Sequence, residues 1–557
     1  MIIKMKTKYI VSCLFAAAMG LTSCNDFLDI DPTNKVTEKL VWNDVSTAEL
    51  AVNYFYADIP YLGSFNNYQC AAGLTEGLTD EFKYGNLLNN SECYIPNQIS
   101  YAGSILTSSY TDVYMGVWGS TYEEIRRVNE SIAKLHASSF SKENQARLEA
   151  ELRFFRGMYY FELLKRYHQA IIYDEDLSKI NTNKALDSEE AGWAYVLSDL
   201  EFAGQNLPVS NDAKGRLTSG AAYALMSRAM LYCQNWDKVK EACEKIFGMG
   251  YELTPNYSDA FKADGNTEAI YMYQYNLTAK TGHSFDGYYA PGGDHTLAGM
   301  TMYGGYGTPT QDLVEEYELA TGGKADWTTW HTTEGTMQNP PYDKLEPRFH
   351  ATILYNGASW RGRTIEPFID GKDGWAQWMK DAAVEGRTTT GYYLRKLVDE
   401  NHDFAISQQS TQPWVAFRLA EVYLNYAEAC LRKNDVETAV AYIDKVRQRQ
   451  GVNLPKLKNV NTVDAAFEAL RHERKVELAF EGLYYWDLRR WNVAERELTG
   501  IRRHGLKIEK MTGDTFRYTY VTVDSEDLNF PKKMYRLPVP QAELNTNKDI
   551  EQFAEWK

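Results

Sequence analysis

The chain has 557 residues and a formal net charge of −16, and 44% of its residues are hydrophobic and 13% aromatic. A surface with this excess of acid repels nucleic acid and anionic lipid head groups, which argues against both as partners. It suits a neutral ligand or a partner with basic patches, and the apolar content is ample for a large buried core.

The first residues have the pattern of an export signal. Lys4, Lys6 and Lys8 precede an apolar run over residues 9–21 that is too short to cross a bilayer as a permanent helix. Small residues then lead to Cys24, an arrangement typical of a bacterial lipoprotein signal. We therefore predict removal of the leader and acylation of Cys24, where each buried methylene adds about 0.8 kcal/mol of membrane affinity. The alternative is an ordinary secretory signal with an incidental cysteine.

The other cysteines of the mature chain form no C-x-x-C pair, so their spacing indicates no metal site. Cys233 and Cys430 lie on apolar helix faces and are predicted to be buried thiols. Cys70 and Cys93 flank one loop-rich stretch and could form a disulfide bond.

Helices are predicted through the first part of the mature chain, over residues 111–135, 141–167 and 187–207. A helix pair then carries small and apolar residues at spacings of 12, 4 and 3, which match the tetratricopeptide helix pair. The residues with these spacings are Met230, Ala242, Ile246 and Met249. We expect such hairpins to pack side by side as a scaffold rather than as a regular solenoid.

The middle of the chain, over residues 271–377, has a different character. It is rich in glycine between Gly282 and Gly323 and contains Pro291 and Pro309, which excludes long helices there. Its many tyrosines and tryptophans argue against a disordered linker. We predict ordered loops laid over the scaffold, and a smaller stretch over residues 64–104 has the same composition.

A second helix pair follows the loop-rich region. Its first helix begins near Leu419, where apolar residues recur with a period near 3.6, and Asn434 and Glu437 predict a capping box at the start of the next helix. Gly451 lies where a helix would end. The spacings of 12, 4 and 3 recur here at Ala427, Ala439, Ile443 and Val446.

Several blocks in a fixed order carry a family resemblance. The strongest is Arg-His-Glu-Arg-Lys-Val-Glu-Leu-Ala-Phe-Glu-Gly over residues 471–482, which continues into Tyr-Trp-Asp-Leu-Arg-Arg-Trp over residues 485–491. Further blocks occupy residues 27–32, 391–396, 417–429, 535–540 and 543–545. Together they make the mature chain resemble the SusD/RagB family of outer-membrane nutrient-binding lipoproteins.

The resemblance implies a mainly α, SusD-like fold, in which tetratricopeptide-like helix hairpins form a scaffold for a large loop-rich ligand-binding region. We accordingly expect a signal peptide over residues 1–23 and a single domain over residues 24–557. The scaffold would occupy about residues 36–270 and 413–557, and the binding region about residues 271–412.

In the family, aromatic platforms on such loops hold sugar, because the C–H faces of sugar rings pack on aromatic rings while polar side chains bind the hydroxyls. Individual contacts cannot be transferred, and for every aromatic residue core packing is the alternative. Trp327 and Trp330 are the leading candidates, since polar residues surround both rings in the sequence. The other candidates are Tyr303, Tyr306, Tyr289, Asn67, Tyr68, Asp80 and Tyr84, with Trp360, Trp375 and Trp378 as secondary ones.

The carboxylates of the strongest block, Glu473, Glu477 and Glu481, have helical spacings that allow ion pairs with nearby arginines, and we predict a structural role for them. Arg489 and Arg490 beside aromatic residues could stack or hold carboxylates of neighbouring helices. A metal cluster of His283, Asp286, Asp294 and His295 is the alternative that the spacing supports least. We expect no cofactor and no catalytic residue.

The expected function is that of a lipid-anchored protein on the outer face of the outer membrane. It would capture oligosaccharide and deliver it to a SusC-like TonB-dependent transporter, closing over that partner as a lid. The first alternative is a RagB-like lid that takes peptide instead of glycan. A surface glycoside hydrolase is a remote alternative, because it needs two carboxylates about 5 to 10 Å apart across a cleft.

Overall fold

The computed structural model is mainly helical, as predicted. It describes residues 41–62, 75–85, 99–101, 107–176, 178, 183–294, 304–376, 387–402 and 409–557. Cys24, Cys70 and Cys93 lie outside the described residues. Among those residues no helix has the length and hydropathy that a membrane span requires.

The α-helices are numbered here in chain order. They are α1 Val45–Asn53, α2 Ser108–Met115, α3 Trp118–Ala137, α4 Lys142–Tyr167, α5 Glu189–Asn206, α6 Ser219–Tyr232, α7 Trp236–Phe247, α8 Phe285–Tyr289, α9 Gln311–Val314, α10 Pro347–Thr352, α11 Leu419–Arg432, α12 Val436–Arg447, α13 Val463–Glu477, α14 Tyr484–Arg490, α15 Ala494–Glu497 and α16 Gln541–Thr546. Short 3₁₀ helices occupy Tyr54–Tyr61, Thr75–Leu78, Tyr257–Phe261, Gly292–Asp294, Tyr342–Lys344, Lys532–Tyr535 and Ala554–Trp556.

The strands form antiparallel pairs, β1 with β3, β2 with β8, β4 with β7, β5 with β6 and β9 with β10. They are β1 Phe82–Tyr84, β2 Ala269–Tyr273, β3 Gly307–Pro309, β4 Ile353–Leu354, β5 Ser359–Trp360, β6 Arg363–Thr364, β7 Tyr393–Leu394, β8 Trp414–Arg418, β9 His504–Lys510 and β10 Phe516–Thr522. The sequence analysis did not anticipate the β9–β10 hairpin, although Leu506 and Ile508 are buried with the two-residue period of a strand.

The helix hairpins form the scaffold. Each helix from α3 to α7 packs against the next one in the chain. Helix α11 packs against α7, α12 and α13. Small residues allow close approach: a Cβ on Gly204 of α5 would lie 2.6 Å from the ring of Tyr223 on α6. Both predicted hairpins are confirmed, with Ala242 and Ala427 fully buried between their helices.

Helix boundaries were predicted closely, with three exceptions. The helix expected over residues 111–135 is interrupted between α2 and α3. The start of α12 is capped by Asp435, whose side chain accepts from the backbone N–H of Thr438, rather than by Asn434. Asn434 instead has a φ of 61°, a left-handed conformation that asparagine tolerates in a tight turn. At the other end α12 stops at Arg447, so Gly451 does not cap it.

The loop-rich middle has only short elements in its described part, as its glycine content predicts. Its side chains nevertheless belong to the same hydrophobic core as the scaffold, including Tyr289, Leu313 and Trp360. The loops of this region therefore contribute side chains to the core as well as covering the scaffold. The division into scaffold and binding region stays a prediction.

Candidate functional site

The two stretches in which ligand contacts were predicted lie side by side. Strand β1 pairs with β3 from Phe82 opposite Pro309 to Tyr84 opposite Gly307. Next to this pair, the hydroxyl of Thr310 donates to the carbonyl oxygen of Asp80 at 2.5 Å. The strand pair therefore joins the stretch near residue 80 to the glycine-rich region more than 200 positions later.

Tyr84 and Tyr289 do meet at this junction, but inside the protein. Both side chains are fully buried, and their hydroxyl oxygens are 3.0 Å apart. The rings of Phe82 and Tyr289 pack at 5.8 Å between centroids. Core packing, the alternative kept for every aromatic candidate, therefore describes both tyrosines, and contact of either with ligand stays a prediction.

Trp327 and Trp330 are buried as well, with 4% and 8% of their surface exposed. Their rings pack edge to face at 5.6 Å, and Trp330 Nε1 donates to the carbonyl oxygen of Gln338 at 3.0 Å. Polar neighbours in the sequence suggested a surface platform, yet they lie in turns around rings that point inward. Trp327 and Trp330 do not present open ring faces, and contact of either with ligand stays a prediction.

Tyr306 is 9% exposed and packs against Tyr288 at 4.3 Å between ring centroids. It is therefore largely inside, like Tyr84, Tyr289, Trp327 and Trp330. Trp360 is fully buried, and its Nε1 donates to Asp294 at 2.9 Å. Trp375 is half-buried. The candidates outside the described residues are Tyr303, Asn67, Tyr68 and Trp378.

Asp80 is the one described candidate at an open surface. Its Oδ2 lies 2.8 Å from Nζ of Lys475 on α13, and the carboxylate side chain is 26% exposed. Burial opposes the charge of Lys475, but Asp80, Tyr484 and Glu316 outweigh it and hold the pKa of Lys475 well above its usual value. Asp80 thus fixes a buried cation at the edge of the loop-rich region.

The carboxylates of the strongest sequence block are deep in the protein. Glu477 on α13 accepts from Arg418 at 2.7 Å, from Arg449 at 2.8 Å and from Arg348 at 3.0 Å. Burial works against its charge, yet these arginines together keep the pKa of Glu477 far below its usual value. All four side chains are buried.

The neighbouring carboxylates are held in the same way. Glu473 lies between Arg348 at 2.5 Å and Arg447 at 3.2 Å, and Glu481 accepts from Arg418 at 2.6 and 2.7 Å. A carboxylate fixed by two or more charged donors and closed off from solvent cannot reach a substrate. We call this group the Glu477 network, formed by Glu268, Arg348, Arg418, Arg447, Arg449, Glu473, Glu477 and Glu481.

The structural role predicted for these acids is thus supported, and an arginine holds both Glu477 and Glu481. Arg474 does not bridge to Glu477 along the helix; it donates to Asp487 at 2.7 Å. Arg490 holds a carboxylate of another helix as expected, with two bonds to Glu428 at 2.6 and 2.7 Å.

Three residues of the metal-cluster alternative are engaged by other partners, and the fourth, His295, lies outside the described residues. Asp286 accepts from His402 at 2.7 Å, and His283 pairs with the carbonyl oxygen of Gln412 at 2.9 Å. Asp294 is engaged by Arg363 at 2.7 Å. Within the described part of the chain, no group of three or more His, Cys, Asp and Glu side chains is arranged to hold a metal ion.

A polar cavity of about 760 Å³ opens beside Asp80. Helix α13 forms one wall with Arg471 and Lys475, and the segment after β3 forms the opposite wall with Asp312 and Glu316. We call it the α13 cavity. Its complete lining is Asp80, Asp312, Glu316, Lys324, Glu468, Arg471, His472, Lys475, Tyr484, Arg496, Glu497, Ile501, Arg502 and His504.

Sequence reasoning missed this cavity because its residues come from distant parts of the chain. A local signal did exist on α13, where Glu468, Arg471 and Lys475 follow one another at helical spacing on the face opposite Glu473 and Glu477. Which loop would face them could not be read from the sequence. His504 on β9 reaches the same cavity, with its Nδ1 2.8 Å from Asp312.

Comparison with known proteins gives two family matches. A family model described as the SusD family matches residues 267–556, just over half of the chain. A second, described as starch-binding and associating with the outer membrane, matches residues 26–231.

The individual relatives share low sequence identity with this chain. A SusD-like protein of Bacteroides ovatus is 25% identical over 400 residues, and the match covers 68% of this chain and 65% of that protein, a little under two thirds of its length. The crystal structure of a SusD-like protein from Bacteroides fragilis has a TM-score of 0.78 at 26% identity, covering 93% of this chain and 98% of that one. A SusD-like carbohydrate-binding protein from the same species has a TM-score of 0.73 at 24% identity, covering 92% and 100%.

Proposed function

We propose a glycan-capture role for this chain, which belongs to the SusD family. The protein would be anchored in the outer membrane through acylated Cys24 and would bind oligosaccharide at the cell surface. It would pass the ligand to a SusC-like TonB-dependent transporter, over which it closes as a lid. The observation that carries the proposal is the pair of family matches, one of which is described as starch-binding and associating with the outer membrane.

Two features of the molecule support binding rather than catalysis. The acids of the strongest sequence block accept charge-assisted hydrogen bonds inside the Glu477 network, which leaves none of them open to a substrate. The α13 cavity, by contrast, is open to solvent and is lined by both donors and acceptors. Such a surface suits the hydroxyl groups of sugars, which donate and accept at once.

The peptide-binding alternative draws support from one specific observation. It requires a site without a solvent-facing ring platform, and the leading platform candidates, Trp327 and Trp330, are buried. Backbone groups at a strand edge would then carry the affinity, by pairing with an extended peptide.

The test is a binding panel with the soluble chain from Asn25 onward, which retains every described residue. Affinity electrophoresis against soluble polysaccharides and calorimetry with oligosaccharides should show retention and heat for at least one glycan. A mixed peptide library forms the second arm, and product analysis of any bound glycan the third. If the protein binds peptides and no glycan, the peptide-binding alternative replaces the proposal. If no glycan gives a response, the glycan-capture proposal is overturned.

A further inference from the structure

We propose that the α13 cavity is itself a saccharide-binding site, selective for uncharged sugar units. The inference rests on the proposed function and adds to it a site apart from the loop aromatics. It places the ligand between α13 and the segment that contains Asp312 and Glu316.

The size and construction of the cavity fit a small ligand. Its volume of about 760 Å³ lies within the roughly 300–1,000 Å³ of small-molecule sites. Its floor is rigid, because Lys475 and Tyr484 are only 6% and 9% exposed and the Lys475 ammonium lies 5.0 Å from the centroid of the Tyr484 ring. A site with fixed walls loses little entropy when it binds.

The charges of the cavity favour an uncharged ligand. It is lined by as many Lys and Arg side chains as Asp and Glu side chains, although the whole chain carries a net charge of −16. Most of these charges already have partners, for example Arg471 with Glu497 and Lys324 with Glu316. A charged ligand would have to displace such a partner, whereas hydroxyl groups can bond to oxygens and nitrogens that remain available.

Two buried atoms on the walls have no hydrogen-bond partner among the described residues. One is an acceptor, Oδ1 of Asp80, and the other is a donor, Nε of Arg471. Both oxygens of Glu477 accept hydrogen bonds, although Nη2 of Arg348 and Nε of Arg449 in the Glu477 network have no partner among the described residues either. A buried polar atom without a partner costs about 1–3 kcal/mol, so a ligand that supplies the missing partner binds with that advantage. A sugar hydroxyl supplies either one once the Asp80 or Arg471 side chain rotates toward the cavity, because neither atom is open to solvent as the side chains stand here.

The cavity also offers a limited apolar edge. The imidazole of His504 is stacked on Tyr520, with ring centroids 4.7 Å apart and an angle of 21° between the planes. Ile501 adds an aliphatic contact beside it. This edge matches the C–H face of one sugar ring, while hydrogen bonds fix its orientation.

The test blocks the cavity with a larger side chain and measures the affinity of the protein for sugars. Ile501→Trp places an indole at the apolar edge, and Ala194→Trp is the matched control, in a separate groove of about 620 Å³ lined by Trp193 and Tyr232. Probes are maltotriose, cellotriose, xylotriose and mannotriose, with trigalacturonic acid as the charged comparison. We expect Ile501→Trp to weaken binding of a neutral probe about tenfold or more and Ala194→Trp to leave it unchanged.

Hydrogen exchange on the unaltered protein gives an independent readout. A saturating neutral probe should slow exchange of backbone amides over residues 311–318 and 468–475. If the protein binds glycans but neither protection nor an effect of Ile501→Trp is found, the cavity proposal is overturned and the proposed function stands. Preference for trigalacturonic acid would also overturn it. If the protein binds no sugar at all, the proposed function itself fails.

Discussion

Helix α13 carries charged residues on two opposite faces, and the two faces have different surroundings. One face directs Glu473 and Glu477 into the Glu477 network, where both side chains are fully buried. The other directs Arg471 and Lys475 into the α13 cavity, which opens to solvent. A single helix therefore contributes charged groups to the core and to a surface cavity.

We expect charge pairing, rather than residue type, to separate the side chains of this helix that stabilise the fold from those that bind ligand. Carboxylates whose two oxygens are both bonded to buried arginines are fixed, and removal of one partner leaves a charge that no water can reach. Asp80 has only one bonded oxygen, and its side chain is 26% exposed at the open cavity, so water can reach the carboxylate when its partner is removed. The network face should therefore control folding, and the cavity face should control affinity.

The largest effect is expected in the network. Arg418→Met removes the cation shared by Glu268, Glu477 and Glu481 and should lower the free energy of unfolding by about 3–5 kcal/mol. Urea denaturation followed by circular dichroism measures the change. A loss below about 1 kcal/mol would show that the carboxylates find other partners and that the network is not closed.

Much of the scaffold could be predicted because its signals are local. The start of α4 was expected at residue 141, and Ser141 caps that helix by accepting from the backbone N–H of Asn144. The period of buried residues and the small residues at helix contacts, such as Ala427, are also visible in the sequence. Partners in the network were not predictable, since Arg348 and Glu477 are separated by 129 positions.

The ligand contacts were harder for the same reason. Polarity around Trp330 in the sequence does not reveal which way the ring points, because a turn can place polar neighbours outside and the indole inside. The pairing of β1 with β3 brings two distant loops together, and only this pairing creates the wall beside Asp80. Loop geometry depends on such long-range contacts rather than on local propensity.

A smaller effect is expected when the cavity loses its ion pair. Asp80→Asn keeps the shape of the side chain but removes the charge that faces Lys475, and it should cost about 1–2 kcal/mol. The loss is less than for Arg418→Met because Glu316 remains 3.6 Å from the Lys475 ammonium and the cavity admits water. The same denaturation assay compares the two variants. An equal or larger loss for Asp80→Asn would remove the distinction between the two faces.

Glu477 of the network and His504 of the cavity should also respond to pH in opposite directions. The pKa of Glu477 is lowered in the folded protein, so its contribution is present above the unfolded pKa and is lost as pH falls. Burial would lower the pKa of His504, but the hydrogen bond and charge of Asp312 outweigh it and raise that pKa. The His504 contribution is therefore complete below the unfolded pKa and is lost as pH rises through the folded value.

His504→Gln tests the second half of this statement. It should destabilise the protein by up to about 1 kcal/mol at pH 6 and by less at pH 8.5, where a smaller share of the imidazole is protonated. Unfolding curves for both proteins at the two pH values give the difference directly. A penalty that grows with pH would mean that His504 acts through packing on Tyr520 and not through its charge.

The smallest effect on stability is expected at the rim of the cavity. Arg496 is 70% exposed and pairs with Glu497 at 2.6 Å, so solvent and salt screen the interaction. Arg496→Ala should leave the denaturation midpoint unchanged, but it opens the entrance and removes one donor, so affinity for a neutral trisaccharide should fall by about twofold. Calorimetry at low and high salt measures the change in affinity. If Arg496→Ala destabilised the fold as much as Asp80→Asn does, the rim would be part of the core, and the cavity would have to be regarded as a second closed network.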